Sequence, residues 1–306
     1  MQSELYQYVI FAEAAECGSI SKAAQKLWVT QPAVSRAVKQ LEDRLGVRLL
    51  ARGARGVTLT EPGAALYQYV RQAMACIEGA ENYISELKDL CAGSLHIGAN
   101  DTVCRHYLIP YLRGFGEKYP AVGIHVTNRV SSETAELLRA GAIDIGFVNG
   151  PAEAGGGFAS RPLTELNDCF VCGQKYFEKY SGTVNLESLD GETLLMLEET
   201  SSTRRQFDAF CKCKGITLTP QIELGSHDLL LEFAAAGLGV ALVVREFSQE
   251  YIADGRLHEV KLADPPPPRN LYLIYRERLP LSPAARRFVE MLAPPADGEC
   301  KMLNAE

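Results

Sequence analysis

Residues 19–45, SISKAAQKLWVTQPAVSRAVKQLEDRL, constrain what this chain can fold into more than any other stretch. Ile20, Ala23, Ala24 and Leu27 recur at helical spacing, and Val34, Val38, Leu41 and Leu45 follow at intervals of four, three and four. Only Trp28, Val29 and Thr30 separate the two runs, so a tight turn must join two short amphipathic helices. Thr30 is placed to cap the second helix and Pro32 fits its first turn. This is a helix-turn-helix pattern. Gln31, Ser35 and Lys39 share the row that the apolar stripe leaves free, with Pro32 and Arg36 on the next row. Gln suits an adenine edge and Arg a guanine edge, Ser21, Thr30 and Ser35 can bond bases or phosphates, and Ala33 lets the helix start approach closely. The competing reading is a small helical core with an ordinary solvated face.

The following residues, 47–60, give two short β-prone runs around a Gly-rich turn carrying Arg52 and Arg55. Helix-turn-helix plus this hairpin is a winged head. Here the chain resembles the LysR-type transcriptional regulators. The resemblance rests on Gly18, Ser19, Ala23, Ala24, Leu27, the run from Thr30 to Ser35, Leu41, Glu42, Leu45, Gly46, Leu49, Arg55, Thr58, Leu59, Thr60 and Gly63, all in register. The length of 306 residues agrees with a full-length member.

A formal net charge of −7 argues against a nucleic-acid binder until it is divided. Residues 1–60 carry eight Lys or Arg against five acids, a local +3 that leaves −10 for the rest. A basic head on an acidic body permits phosphate contact while limiting indiscriminate binding, and the modest +3 predicts that one head binds weakly. The opening residues lack the pattern of a secretory signal, and no run of 18 apolar residues occurs, so a cytoplasmic chain without membrane attachment is expected. Nine scattered cysteines then read as apolar fillers and free thiols.

A first helix within residues 1–16 should pack beneath the head, which spans residues 1–60. Over residues 61–92, Leu66, Val70, Ala73, Ile77, Ala80, Ile84 and Leu87 alternate spacings of four and three, as in a dimerising coiled coil. The alternative is an amphipathic helix covering its own chain's core. From residue 93 to 295 strands alternate with helices, predicting a two-subdomain α/β unit with mainly parallel sheets, residues 93–162 with 269–295 and residues 163–268. A single long helix is expected over residues 102–118, a crossing near residues 161–166, and a stiff return through Pro265–Pro268. Residues 296–306 form a tail. The arrangement resembles a periplasmic-binding-protein fold, which in LysR-type regulators senses effectors.

Ligands of open α/β folds sit at strand carboxyl ends beside helix starts. Those junctions hold Asn100, Asp101, Thr102; Val130, Ser131; Asn149; Thr200, Ser201, Ser202, Thr203; and His227. Hydroxyls beside helix starts suit a carboxylate, and His227 would donate to it when protonated. The same residue types also serve as plain caps, and Asp101 would repel an anion unless so spent.

Cys169 and Cys172 lie in a predicted strand, where residues three apart face opposite ways. Peroxide-sensing LysR-type members pair two thiols in the region of residues 200–203, and this chain has none there. The five histidines are scattered, so neither a metal nor another cofactor is expected, and no nucleotide, hydrolase or zincin motif suggests an enzyme. The resemblance implies a ligand-responsive regulator whose partners are double-stranded DNA of approximate two-fold symmetry, a small-molecule effector, itself as homodimer or homotetramer, and RNA polymerase. A thiol-switched regulator, or a small-molecule binder without DNA, are the alternatives.

Overall fold

The computed structural model describes residues 2–53, 56–88, 93–150 and 157–292. The chain divides into two units, the second starting at Glu86. In the first, α1 (Gln2–Cys17), α2 (Ile20–Lys26) and α3 (Gln31–Leu45) precede a hairpin of β1 (Leu50–Gly53) and β2 (Gly56–Leu59), and α4 (Glu61–Lys88) follows. Most of the stripe read from the sequence is core: Ile20, Ala23, Ala24, Val34, Val38 and Leu41 are buried with Ala37, Ile10, Phe11, Ala14, Leu49, Leu50 and Val57, and Leu27 packs partly against them, whereas Leu45 at the end of the second helix is exposed. Apolar burial from three short helices and a hairpin is the main stabilising term available to a unit this small.

Polar contacts pin the hairpin to this core. Glu42, itself buried, accepts from the backbone N–H of Leu49 at 2.8 Å and Leu50 at 3.1 Å, and its other oxygen meets Arg48 at 3.3 Å. Thr60 caps α4 by accepting from the Gly63 N–H at 3.1 Å, while its hydroxyl donates to the Arg48 carbonyl at 2.7 Å. A Cβ at Gly63 would lie 2.0 Å from the Leu49 carbonyl oxygen, so close packing of helix on wing requires glycine.

The heptad stripe is divided. Leu66 packs against the head core and Val70 is buried, whereas Ala73, Ile77, Ala80 and Ile84 are exposed. Assigning Val70 to a partner helix is therefore corrected, because its side chain is already buried within its own chain; Leu66 is half-buried against the head core. The side chain of Leu87 lies outside the described residues.

The second unit holds two five-stranded sheets, ordered β4-β3-β5-β12-β6 and β11-β7-β10-β8-β9. The first lobe runs β3 (Gly93–Ala99), α5 (Asp101–Val103), a π turn (Cys104–Leu108), α6 (Ile109–Lys118), β4 (Val122–Asn128), α7 (Ser131–Arg139), β5 (Ile145–Asn149) and β6 (Phe158–Leu166). The second runs β7 (Asp168–Cys172), α8 (Gln174–Phe177), β8 (Leu194–Leu197), α9 (Ser202–Cys213), β9 (Ile222–Leu224), α10 (His227–Ala235), β10 (Val240–Val244), α11 (Gln249–Ala253) and β11 (His258–Val260). The chain then returns to the first lobe through β12 (Arg269–Arg276) and α12 (Pro283–Met291).

Both sheets are mixed, not mainly parallel, because β12 runs antiparallel to β5 and β6, and β7 antiparallel to β10 and β11. The crossing also differs from expectation. Residues 161–166 belong to β6, an edge strand that tolerates Pro162 beside a register shift, and the lobes change over at Asn167. Asn167 is fixed there, donating from N and Nδ2 to Glu246 at 2.8 and 2.9 Å. The expected helix over 102–118 is interrupted by the π turn. Pro110 has no N–H for the residue 106 carbonyl, which favours a wider turn just before it.

Candidate DNA-reading face and effector junction

On α3 the buried stripe faces the head core, and Gln31, Pro32, Ala33, Arg36 and Lys39 are exposed, with Ser35 half-buried between them. Ser21 is exposed on α2 and Thr30 at the turn. Thr30 occupies the cap position with an extended backbone, but its side chain makes no capping bond; its carbonyl instead accepts from Ala33 and Val34 N–H. The expectation that Thr30 caps through its hydroxyl is thus corrected. Arg55 and the Arg52 side chain lie outside the described residues. The face can offer an amide, a hydroxyl and cations along one helix, the donor types that base edges and phosphates accept.

In the second unit the predicted junction residues separate into two groups. Ser131, Asn149, Ser202 and Thr203 converge across the lobes. Ser131 Oγ accepts from the Asn149 N–H at 3.1 Å and lies 3.4 Å from Ser202 Oγ. Thr203 Oγ1 accepts from Arg269 Nη2 at 3.1 Å, and the same guanidinium grips Asp168 side-on at 2.9 and 2.8 Å. Two buried atoms here have no hydrogen-bond partner: Arg269 Nη1 and Asn149 Oδ1. Beside the ion pair lies a cavity of about 370 Å³, lined by Gln206, Phe207 and Phe210 of α9 and by Pro266–Pro268.

The others are satisfied locally. Asn100 Oδ1 caps α5 by accepting from Val103 N–H at 2.8 Å, and Asp101 Oδ1 accepts from Thr102 N–H at 2.9 Å. Val130 offers its carbonyl to Thr134 N–H, Thr200 its carbonyl to Arg205, and Ser201 its N–H to Glu198. Neither Arg269 nor Asp168 was singled out as a site residue by the sequence. Their pairing spans 101 residues, and an Arg after a proline run has no local signal.

His227 requires a correction. It is buried, and its Nε2 accepts from the Val244 N–H at 3.0 Å, which leaves the ring proton on Nδ1 and nothing at Nε2 to donate to an anion. Burial lowers its pKa, so the donating protonated form is disfavoured. Two of the five histidines do meet: His106 and His227, with Asp228, bring ligand-type atoms within 4.8 Å of one another. The donor set does not fit a metal. A ligating histidine gives its second nitrogen's proton to an acceptor, whereas His227 presents Nε2 to a donor, so coordination at Nδ1 would require an imidazolate. Asp228 is instead tied to the first lobe by Arg105 and His106, both at 2.9 Å. The pull of His227, then of His106 and Arg105, holds its carboxyl far below the usual carboxylate range.

Thiol chemistry is disfavoured where it was considered. Cys169 packs on one face of the second sheet and Cys172 on the other, and burial pushes the Cys172 and Cys211 thiols up to about 11 and Cys169 higher still.

The helix-turn-helix profile described as bacterial regulatory helix-turn-helix protein, lysR family, matches residues 5–64, and that of the LysR substrate binding domain matches residues 88–295. The chain belongs to the LysR family of transcriptional regulators. A relative from Allochromatium vinosum, the RuBisCO operon transcriptional regulator, is 30% identical over 99% of this chain and 100% of its own. Among solved structures, ArgP from Mycobacterium tuberculosis has a TM-score of 0.70 at 20% identity, covering 94% of each chain. Full-length CbnR, solved with its target DNA, has a TM-score of 0.63 at 22% identity, covering 94% of this chain and 98% of that one. These likenesses establish an N-terminal helix-turn-helix with a C-terminal LysR-type binding domain. No helix among the described residues is long and apolar enough to cross a membrane.

Proposed function

We propose that this LysR-family regulator reads DNA through Gln31, Pro32, Ser35, Arg36 and Lys39, with Ser21 and Thr30 on the flanking phosphates. The observation that carries this reading is the exposed polar face of α3 opposite a buried stripe of Val34, Ala37, Val38 and Leu41. Two heads would be joined through the second half of α4, where Ile77 is 46% and Ile84 54% exposed at the spacing of a coiled-coil seam. A gel shift on the DNA flanking its own gene tests the face. Arg36→Ala should weaken binding by about 1–3 kcal/mol and relax preference at one base position; unchanged affinity and preference would refute the assignment.

The effector site in this proposal is the junction of Ser131, Asn149, Ser202, Thr203 and Arg269. Its unpartnered donor and acceptor suit a small molecule carrying both an acceptor, such as a carboxylate or carbonyl, and a hydroxyl or amine. Because Asp168 already balances Arg269, the site does not demand a strongly charged ligand. Binding that differs between two lobe arrangements would then alter the heads' engagement of DNA. A thermal-shift screen with hydroxy acids, amino acids and aromatic acids should yield a stabilising hit that Ser202→Ala weakens.

A further inference from the structure

The chain has one tryptophan, Trp28, and it stands in the turn between α2 and α3 with 94% of its surface exposed. Its backbone φ is +56°, the only positive φ at a non-glycine residue among those described. The hydrogen bonds explain the conformation. Trp28 N–H donates to the Gln25 carbonyl at 3.3 Å and Val29 N–H to the Ala24 carbonyl at 3.0 Å, which together close the end of α2 in a Schellman motif. The residue at that left-handed position is ordinarily glycine or asparagine, and a bulky side chain there is unfavourable. The indole therefore contributes little burial to the fold and occupies a position where its backbone is penalised.

Its location supplies a reason. Trp28 is three residues before Gln31, so their Cα atoms are within about 11 Å by chain length alone. That is less than one major-groove width, about 12 Å. When the start of α3 enters the groove, a side chain at this turn is within reach of the sugar–phosphate wall beside the bases being read. An indole offers a flat apolar face to the sugar and an N–H to a phosphate oxygen. Lys22, on the preceding helix, is exposed on the same short segment and supplies a cationic group for the same backbone, whereas Lys26 is paired with Glu13 at 2.7 Å.

We propose that Trp28 is a DNA-backbone contact that steadies α3 in the groove, retained at a cost to the stability of the turn. The proposal rests on α3 being the reading helix. Being uncharged, the indole releases no counterion, so its contribution should be independent of salt and of base sequence.

Because the tryptophan is unique, its emission reports this one position. Adding a mixed-sequence duplex at low ionic strength to the full-length protein should shift the emission to shorter wavelength and shield it from acrylamide. Trp28→Gly should raise the thermal midpoint, because strain is relieved. It should also weaken duplex binding by about fivefold on every sequence, with the slope of affinity against salt unchanged. Emission and quenching unaltered at a duplex concentration where a gel shift is complete would overturn the proposal while leaving the reading helix intact. A blue shift on raising protein concentration without DNA would overturn it in favour of a contact between copies. Absence of any gel shift would overturn both this proposal and the DNA-reading face.

Discussion

The α3 face and the lobe junction both concentrate polar side chains, yet they hold them differently. On α3 the side chains of Gln31, Arg36 and Lys39 project from a helix whose opposite side is locked into the head core, and they extend into solvent. At the junction Ser131 serves Asn149, Thr203 serves Arg269, and Arg269 serves Asp168, all at least half-buried. A free face on a rigid base is ready for a large, always similar partner such as a duplex. A nearly closed network leaves one orphaned donor and one orphaned acceptor, and under the proposed function a small ligand filling those two valences would change the balance of contacts between lobes.

The contrast can be broken most forcefully at Arg269. Arg269→Ala leaves Asp168 buried without its counter-charge and should cost about 3–5 kcal/mol in urea unfolding. Pairing Arg269→Met with Asp168→Leu should recover most of that loss. If the single change proves mild, the junction is wetter and looser than the contacts describe.

The head offers the next largest effect. Glu42→Ala strands the Leu49 and Leu50 amides and should destabilise the head by about 2–4 kcal/mol, loosening the wing before the reading face is touched. Measured by amide exchange, the loss of protection should centre on β1 and β2. Unchanged exchange there would show that the hairpin is held by apolar packing instead.

The smallest effect is a pH dependence confined to the second unit. His227 has a folded pKa below its unfolded value of about 6.5, because burial disfavours the charged ring. The unfolded chain therefore takes up the proton first, so this stability is complete above about pH 6.5 and drains away as pH falls. Asp228, also depressed, adds a loss in the same direction below about pH 4. His227→Gln should remove the upper part of the decline and shrink the lower, which His106 and Arg105 then sustain; urea midpoints measured against pH distinguish the two.

What was legible in the sequence was what is local. Val34, Val38 and Leu41 declare α3 because 3.6-residue periodicity is written in consecutive positions, and Glu61 onward declares a long helix for the same reason. Edge strand β6 escaped, since Arg161, Pro162 and Glu165 break the alternation that a half-buried strand would show. Val70 was read as part of a seam because spacing alone cannot distinguish a partner helix from burial within the chain itself. His227 was chosen for its place at a helix start, and only Val244, 17 residues away, fixes which of its nitrogens carries the proton.

By itself the sequence determined the helix-turn-helix, the wing, the long helix and the alternation of strands and helices, because each is encoded in spacings of a few residues. Tertiary structure alone decided that Arg269 grips Asp168 and Thr203, that Glu42 holds the wing, and that Asp228 is clamped from the other lobe. These contacts join residues far apart in the chain or aim one polar atom at another. Hydrophobic periodicity carries information about which side of an element is buried and none about which buried group a polar side chain will meet.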